Sequence, residues 1–473
     1  MSNLPILIIV IPLCAAFVIS IVDLTRVKKF SPCLSLASIS ISLGLIGCLG
    51  PRIFAGEQIS YALGGWQIPL GITLLVDGLS YFFSLIATLL MILSIIFSIN
   101  KEGMHHFFLL LLYVGMIGVI YTQDLFNMYV FYEILAISSY ILVTSDIRGS
   151  LKASLKYLFL GSIASAFFLL GIGILYGQTG TLNLDLIAFR IPEILQDNPL
   201  TIGLVSSLFL FAFGIKCGAF PLHTWVPDAH SLAPTAVSVL LSGVVLKIGI
   251  YVLIRVFWTF PYLGIEKIIM WLGIFSLMFG ALMALAQDDI KRLLAYSSIS
   301  QIGCILIGIG IGSESGLKGS LFHILNHAVM KGCLFFCAGL IIFSTQKRKI
   351  SELKGFGKHN PLLSFLFILA ALSIIGIPPF NGFVSKWIIC QGAVESGNIF
   401  PGIMIILASI IAVAYYGRII QLFLSPGEPF QESPDIGYLQ YIAPCVLSIS
   451  CVLLGIFPFL GINLVEHAVK MFY

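Results

Sequence analysis

Long apolar runs separated by short polar segments make up most of the 473-residue chain. The runs are about 17 to 25 residues long, the length that an α-helix needs to cross the hydrocarbon core of a bilayer, and they lack the ten-residue alternation of a membrane β-barrel. They predict an all-α polytopic membrane protein, a single transmembrane domain over residues 1–473 with 14 transmembrane helices. The predicted spans lie near residues 4–22, 31–49, 73–99, 105–121, 125–144, 152–177, 200–219 with a broken continuation at 233–241, 243–259, 266–286, 291–312, 317–343, 361–395 with a break, 402–424 and 439–460.

Proline and glycine interrupt two of these runs. One interruption is AFPLHTWVPDAH at 219–230 and the other is GIPPFNGF at 376–383. They predict that helices 7 and 12 are discontinuous. Predicted helices 4 to 8 (105–259) and 9 to 13 (266–424) each contain five helices, with the break in the fourth. Because an odd number of helices inverts the topology, we interpret the two segments as inverted repeats, whose paired breaks indicate a transporter's ion site.

The composition excludes a soluble globular protein. The chain is 59% hydrophobic and only 10% charged, its mean hydropathy is +1.06, and soluble domains carry about 25% charged residues. The net charge of +4 is spread over helix ends and short loops, so nucleic-acid binding is not expected. The ten cysteines form no CxxC motif, and Cys333 and Cys337 are interpreted as packing residues. No metal or redox cofactor is expected in this chain.

Lysine and arginine are distributed unevenly over the predicted loops. By count, 13 lie in odd-numbered loops, including Arg26, Lys28 and Lys29, and about five lie in even-numbered loops. Cytoplasmic loops carry an excess of these residues, which predicts that both termini are extracytoplasmic. The N-terminal run lacks a basic region and a cleavage site, so it is predicted to be a retained first helix.

Ionisable residues deep in apolar runs are costly, and they usually serve a transport pathway. The candidates are Glu133, Lys216, Lys247, His323, His327, Lys331 and Lys386. Asp77, Lys156 and Arg418 are nearer the ends of their runs, where a snorkelling side chain is an equally good interpretation for Lys156 and Arg418.

Glu133 and Lys216 are the two oppositely charged candidates in the first predicted repeat. Burial disfavours a protonated lysine and a nearby carboxylate favours it. A carboxylate that moves could therefore switch the lysine between holding and releasing a proton. The sequence predicts that these two residues act as a pair.

His323, His327 and Lys331 fall at i, i+4 and i+8 in HILNHAVMK, on one face of a helix. Histidine titrates near neutral pH, so the row suits proton relay. A metal site is less favoured, because no carboxylate lies nearby in sequence. His223 and His230 flank Asp228 in the first break, where they could line a water path or satisfy freed backbone groups.

Five long motifs resemble the antiporter-like subunits shared by respiratory complex I, membrane-bound hydrogenases and Mrp cation/proton antiporters. The resemblance covers roughly residues 60–425. Within the family, DLFNMYVFYE and YGQTGTLNL look most like the D-type component of Mrp antiporters. The motifs are DLFNMYVFYEILAISSYIL, GIKCGAFPLHTWVPDAHSLAPTAVSVLLSGVVLKIGIY, DDIKRLLAYSSISQIG, HILNHAVMKGCLFFCAG and GIPPFNGFVSKW.

The resemblance implies a 14-helix subunit with a central polar axis that carries protons. Glu133 matches the family's helix 5 glutamate, Lys216 its helix 7 partner and Lys247 the bridging lysine of helix 8. The row from His323 to Lys331 matches the helix 11 relay, and Lys386 matches the exit residue of helix 12. The resemblance also implies other integral membrane subunits as partners, protons and possibly Na⁺ as transported ions, and the inner membrane of a prokaryotic cell.

Three functions remain open at this stage. The first is proton translocation coupled to Na⁺/H⁺ exchange or to redox chemistry in partner subunits. The second is an enzyme subunit that itself binds quinone or a redox cofactor. The absence of cofactor ligands argues against redox chemistry in this chain, but as the quinone-proximal subunit of a complex I type NADH:quinone oxidoreductase it would still be part of an enzyme. The third, a structural scaffold, is disfavoured because all seven buried ionisable residues are present.

Overall fold

The computed structural model of this chain is built almost entirely of helices. It describes residues 3–24, 30–66, 68–258, 265–427, 430, 436–470 and 472. The basic residues of the first predicted loop, Arg26, Lys28 and Lys29, lie outside the described residues. The prediction of a mainly helical membrane fold is confirmed by long apolar helices that dominate the described chain.

Twenty α-helices and one short hairpin are described. The hairpin pairs β1 (Ile59–Ala62) with β2 (Thr73–Val76) in antiparallel register, with Ile59 opposite Val76. The helices are α1 (Leu4–Leu24), α2 (Phe30–Phe54), α3 (Gly78–Phe97), α4 (Gly103–Tyr121), α5 (Leu125–Val143), α6 (Ser150–Thr179), α7 (Leu184–Asp197), α8 (Pro199–Cys217), α9 (Val226–Leu232), α10 (Thr235–Leu240), α11 (Leu246–Trp258), α12 (Ile265–Leu285), α13 (Ile290–Gly310), α14 (Glu314–Thr345), α15 (Phe356–His359), α16 (Pro361–Ile375), α17 (Asn381–Glu395), α18 (Phe400–Leu424), α19 (Tyr438–Ile456) and α20 (Phe459–Val469).

The chain divides into two compact units. Unit 1 comprises Met1–Cys217, Val245–Ile265 and Glu466–Tyr473, and unit 2 comprises Gly218–Val244 and Glu266–Val465. In unit 1, α2 packs against α1, α3 and α4, while α8 packs against α6 and α11. The Asp77 side chain caps α3 by accepting from the Ser80 backbone N–H, and Ser80 returns a hydrogen bond to the Asp77 backbone, which fixes the start of this helix.

In unit 2, α14 is the central helix and packs against α13, α16, α17 and α19. Glycines bring α12 and α13 into close contact. A Cβ atom at Gly273 would lie 2.7 Å from the Ile307 backbone nitrogen, and one at Gly303 would lie 2.3 Å from that of Leu277. Small residues allow such close approach of helices in membranes. A polar stripe on α14 is therefore held inside a tightly packed bundle.

Thirteen helices among the described residues are long and apolar enough to cross a membrane. The predicted division of residues 233–259 into two pieces is wrong. Thr235–Phe257 forms one continuous span, and a single π-helical turn at Leu241–Val245 lies inside it. The helix that follows the first interruption in the chain is instead α9. The sequence could not distinguish the two cases, because a π turn has no characteristic proline or glycine pattern that sets it apart from a true helix break.

Both predicted interruptions are breaks in helical structure. The first helix ends at Cys217, Gly218 adopts a left-handed φ of 70°, and helix resumes at Val226. The second ends at Ile375 with Gly376 at φ 93°. Glycine is favoured at this position because it tolerates positive φ. Each break leaves backbone carbonyls of the last turn free to accept bonds from side chains.

Several elements were not predicted from the sequence: the β1–β2 hairpin, whose second strand replaces the first residues of the predicted span at 73–99, and the helices α7, α15 and α20. The helix α7 lies in the segment between α6 and α8, and its start is capped by the Asn183 side chain, which accepts from the backbone N–H groups of Asp185 and Leu186. Its apolar positions, Ile187, Ile191 and Ile194, are buried. In the sequence, the much stronger hydrophobicity of the neighbouring spans masks an amphipathic helix of this length.

Candidate functional site

In unit 1, Lys216 is joined to Glu133 through the hydroxyl group of Ser165. The Lys216 ammonium donates to Ser165 Oγ at 3.0 Å, and Ser165 donates to Glu133 Oε1. Lys216 Nζ lies 3.9 Å from Glu133 Oε1 and 3.9 Å from the centroid of the Tyr132 ring. The structure therefore brings the predicted pair together, with a serine between them.

The two charged groups of this cluster differ in exposure. The Lys216 side chain is 5% exposed and that of Glu133 is 29% exposed. Lys216 lies in the last turn of α8, where the free carbonyls of the helix end favour a cation. Since a hydroxyl group both donates and accepts hydrogen bonds, Ser165 can pass a proton from the lysine to the carboxylate while it stays in place.

Lys247 lies in the first turn of α11, directly after the π turn, and is 1% exposed. Isolated π turns in helices are frequent at functional sites. Two residues later, a Cβ atom at Gly249 would lie 3.0 Å from the backbone nitrogen of Cys217. The helices that carry Lys216 and Lys247 are therefore in close backbone contact within unit 1.

In unit 2, His323 and His327 lie on one face of α14 and are fully buried. Their rings are nearly parallel, with centroids 6.2 Å apart. His323 Nδ1 lies 2.8 Å from Ser385 Oγ, and its Nε2 lies 2.9 Å from Gln301 Oε1. Because a carbonyl oxygen only accepts, Nε2 donates to Gln301, while Nδ1 is hydrogen-bonded to the Ser385 hydroxyl.

Lys331, one turn further along α14, is also fully buried. Its ammonium donates to the Leu294 carbonyl at 2.8 Å and lies 3.4 Å from the Tyr416 hydroxyl oxygen. The Tyr416 hydroxyl is in turn 3.1 Å from Ser297 Oγ. Two of the contacts that hold the lysine are therefore with a carbonyl and a hydroxyl oxygen.

Lys386 binds the end of the broken helix. Its ammonium donates to the carbonyls of Ile374 and Ile375 at 2.9 and 3.0 Å and to Ser409 Oγ at 3.0 Å. These carbonyls belong to the C-terminus of α16, whose dipole favours a positive charge. The break therefore provides the binding site for the lysine, since an uninterrupted helix would use both carbonyls itself.

The four accessory candidates have separate environments. His223 stacks on Phe220, and His230 is fully buried with its ring 5.9 Å from Trp225. Asp228 forms an ion pair with Arg292 at 3.0 Å. Lys156 is partly buried in α6. Asp228 therefore belongs to a surface ion pair of unit 2, whereas both histidines lie among aromatic rings.

The neutral partners of the charged residues were missed by the sequence analysis. They are Ser165, Gln301, Ser385, Ser409 and Tyr416. Serine is common at helix contacts in membranes, so a buried serine gives no signal of its own. Only Ser385, next to Lys386, and Gln301, inside the SSISQIG motif, stand in segments already singled out. In the part of the chain that the structure describes, no group of three or more His, Cys, Asp or Glu residues could hold a metal ion.

Long apolar helices, two breaks and buried lysines held by hydroxyl and carbonyl oxygens define an antiporter-like membrane subunit. The chain belongs to the NADH:quinone oxidoreductase/Mrp antiporter transmembrane family, whose model matches residues 122–412. The resemblance seen in the sequence motifs is thereby confirmed.

Relatives of both branches match this chain to a similar degree. The N component of the NADH-quinone oxidoreductase of Desulforudis audaxviator is 34% identical over 442 residues, which cover 90% of this chain and 88% of the relative. The D component of the Na⁺/H⁺ antiporter of Bacillus subtilis is 31% identical over 424 residues, covering 87% and 85%. A chain of the membrane-bound sulfane sulfur reductase, an archaeal respiratory membrane complex, superposes with a TM-score of 0.93 at 30% identity, covering 99% of this chain and 97% of that one.

Proposed function

We propose that this chain translocates protons as the antiporter-like subunit of a multisubunit membrane complex. The transport is coupled to Na⁺/H⁺ exchange or to redox chemistry in partner subunits, and the chain itself binds no redox cofactor. The observation that carries the proposal is the hydrogen-bonded chain from Lys216 through Ser165 to Glu133. A buried lysine and a partly exposed carboxylate linked by a hydroxyl are a proton-transfer unit that packing alone does not require.

In this mechanism, the first unit loads and releases one proton. With Glu133 ionised and nearby, Lys216 is held protonated. When the carboxylate is neutralised or moves away, burial favours the neutral amine, and the proton passes to the next group, Lys247. The Ser165 hydroxyl keeps the two groups aligned while their charges change.

In the second unit, the proton passes along α14 and leaves near the broken helix. His323, His327 and Lys331 form the relay row, and Lys386 is the exit group. His323 is bonded through both ring nitrogens, so it can accept a proton on one nitrogen and release one from the other. Lys386, bound to free helix-end carbonyls, can be drawn away from them when the break rearranges.

The proposal includes the architecture predicted from the sequence. Adding the paired short helices α16 and α17 as one discontinuous span to the thirteen long ones gives 14 spans. The segments 105–259 and 266–424 then form inverted repeats, with a broken helix in each. The distribution of lysine and arginine supports extracytoplasmic termini, in the inner membrane of a prokaryotic cell.

A second candidate function is that of the quinone-proximal antiporter-like subunit of a complex I type NADH:quinone oxidoreductase. The similarity to the Desulforudis audaxviator oxidoreductase component supports it. Sodium dependence separates Na⁺/H⁺ exchange from redox-driven pumping, since a redox-driven proton pump without exchange should not respond to sodium. Mass spectrometry of co-purifying subunits would also separate them, because flavin or hydrogenase-like subunits indicate a redox-driven pump.

Substitution of the first cluster tests the proposed function. In membrane vesicles that contain the assembled complex, we expect Lys216→Ala and Glu133→Ala to abolish proton transport measured with a pH-sensitive dye. The matched control is Lys349→Ala, because the Lys349 side chain is 67% exposed and should leave transport unchanged. Full transport by correctly assembled Lys216→Ala and Glu133→Ala complexes would rule the mechanism out.

A further inference from the structure

Buried hydroxyl groups run through the bundle of α2, α3 and α4, outside the segment that matches the family model. The buried face of α2 carries Ser31, Ser35, Ser38 and Ser42, each at most 3% exposed. Their spacing of four, three and four residues places them on one side of the helix. The side of α2 that meets α3 and α4 is therefore polar over half its length.

The neighbouring helices continue this polar line. On α3, Ser84, Thr88 and Ser94 are fully buried. The Thr88 hydroxyl lies 2.9 Å from the hydroxyl of Tyr113 on α4, and Ser42 faces the same tyrosine. The buried side chains between α2, α3 and α4, from His106 at one end to Tyr121 at the other, are called the hydroxyl column below.

Several polar atoms of the hydroxyl column have no hydrogen-bond partner among the described residues. They are Ser31 Oγ, Ser94 Oγ, the Tyr121 hydroxyl and both ring nitrogens of His106, and all four residues are fully buried or nearly so. An unsatisfied buried polar group costs about 1–3 kcal/mol. Internal water is the usual partner of such groups.

A purely structural interpretation accounts for only part of this column. Ser35, Ser38 and Ser42 each donate to a carbonyl of their own helix, as serines that only support helix packing do. These bonds to the helix backbone provide no partner for Ser31 Oγ, Ser94 Oγ, the Tyr121 hydroxyl or the His106 ring nitrogens.

The two ends of the hydroxyl column differ. At one end, His105 and His106 begin α4 next to Asp23, whose carboxylate oxygen would be 2.3 Å from a Cβ atom at Gly103. At the other end, beyond Tyr121, Arg255 donates to the Tyr251 hydroxyl at 2.9 Å and to the carboxylate of Asp77.

The second end also reaches the proposed proton axis. The Tyr251 hydroxyl donates to the carbonyl of Ile120, next to Tyr121. Lys247, Tyr251 and Arg255 are spaced four residues apart on α11, so they share one face of that helix. The column therefore ends one helical turn from Lys247, and an ion pair lies beyond it.

We propose that the hydroxyl column is a hydrated access path that carries protons between the His105 and His106 end of the bundle and Lys247. This inference rests on the proposed function, because Lys247 must pass the proton on. Each water or hydroxyl accepts one proton and releases another, so the path consumes none and ends with a protonated lysine. The Asp77–Arg255 ion pair lies beyond the far end, where the Arg255 side chain is bonded to Asp77 and to Tyr251.

Hydroxyl-radical labelling of the unmodified chain in its complex tests whether the column holds water. Radicals generated by X-rays from bound water label the side chains beside it. We expect Tyr113 to be labelled at least about fivefold faster than Phe168, an equally buried ring packed against Phe209 and Phe213. Equal labelling of Tyr113 and Phe168 would overturn the proposal.

Removal of the central hydroxyls tests whether protons use the path. In vesicles containing the assembled complex, we expect the Ser42→Ala, Thr88→Val, Tyr113→Phe variant to transport protons at least about fivefold more slowly. Ser448→Ala removes an equally buried serine of α19 outside the column and should have no effect. Wild-type transport by the triple variant, at wild-type abundance, would refute the path. If Lys216→Ala still stopped transport in the same assay, the proposed function would stand without the path.

A result that contradicts the proposed function would differ from one that contradicts only the access path. If Lys216→Ala left transport unchanged, the axis itself would be wrong, whatever the triple variant did. Should the triple variant fail to assemble, the labelling of Tyr113 in the unmodified chain still decides between a hydrated and a dry column.

Discussion

At the residue scale, three lysines of the candidate site donate hydrogen bonds to hydroxyl and carbonyl oxygens. Lys216 binds a serine hydroxyl, Lys331 a backbone carbonyl, and Lys386 two carbonyls and a hydroxyl. Neutral partners stabilise an ammonium less than a carboxylate does, so a lysine bound in this way can lose its proton at a lower cost. The arrangement suits groups that change charge during transport.

Ser165 gives the sharpest test of this arrangement. We expect Ser165→Ala to slow proton transport at least about tenfold, because the 3.9 Å separation of Lys216 Nζ and Glu133 Oε1 is too long for direct proton transfer. Ser165→Thr keeps a hydroxyl group and should restore part of the rate. Transport rates in vesicles, compared at equal amounts of assembled complex, measure the effect. An unchanged rate in Ser165→Ala would mean that the two groups exchange protons directly or through water.

At the element scale, helix ends and helix breaks position the chemistry. The sequence predicts both breaks, because proline and glycine clusters are strong local signals. It does not predict the π turn at Leu241–Val245 or the exact partners of each lysine, because those depend on how neighbouring helices pack. The seven candidate residues stand out in the sequence because an ionisable residue in an apolar run is conspicuous, whereas Ser165 does not.

The ion pair between Asp77 and Arg255 ties the start of α3 to the end of α11. The side chains are 1% and 11% exposed, so Arg255→Met leaves a buried carboxylate without its partner. Loss of one member of a buried pair costs on the order of 3–5 kcal/mol. We expect a clearly lower resistance of the purified chain to heat or to SDS unfolding.

An exposed ion pair in the same unit provides the control for this prediction. The Arg52 and Glu57 side chains are 40% and 50% exposed, so Arg52→Met should cost at most about 1 kcal/mol. Equal losses of stability for Arg255→Met and Arg52→Met would show that the Asp77–Arg255 pair has no special structural role.

At the scale of the whole molecule, one face of α5 is a candidate contact for a partner subunit. Phe126, Val130, Ile137 and Ile141 are between 39% and 53% exposed, and Glu133 lies in the middle of this apolar stripe. A carboxylate facing lipid at the centre of a span costs roughly 2.5–3.5 kcal/mol or more. Another polypeptide that covers the stripe removes that cost, as expected for one component of a multisubunit membrane complex.

A lipid-soluble carbodiimide, which reacts with carboxyl groups inside membranes, tests whether this face is covered. The Glu133 side chain is 29% exposed in the chain alone, so we expect it to be modified in the isolated chain. In the assembled complex, modification should be at least about fivefold slower, because a partner helix would fill the space beside the apolar stripe. Peptide mass spectrometry locates the modified residue, and Glu133→Gln, which lacks the carboxyl group, identifies any labelling at other positions. Equal rates in the isolated chain and in the complex would mean that Glu133 faces lipid or water in both states, and the partner contact would have to lie on another face.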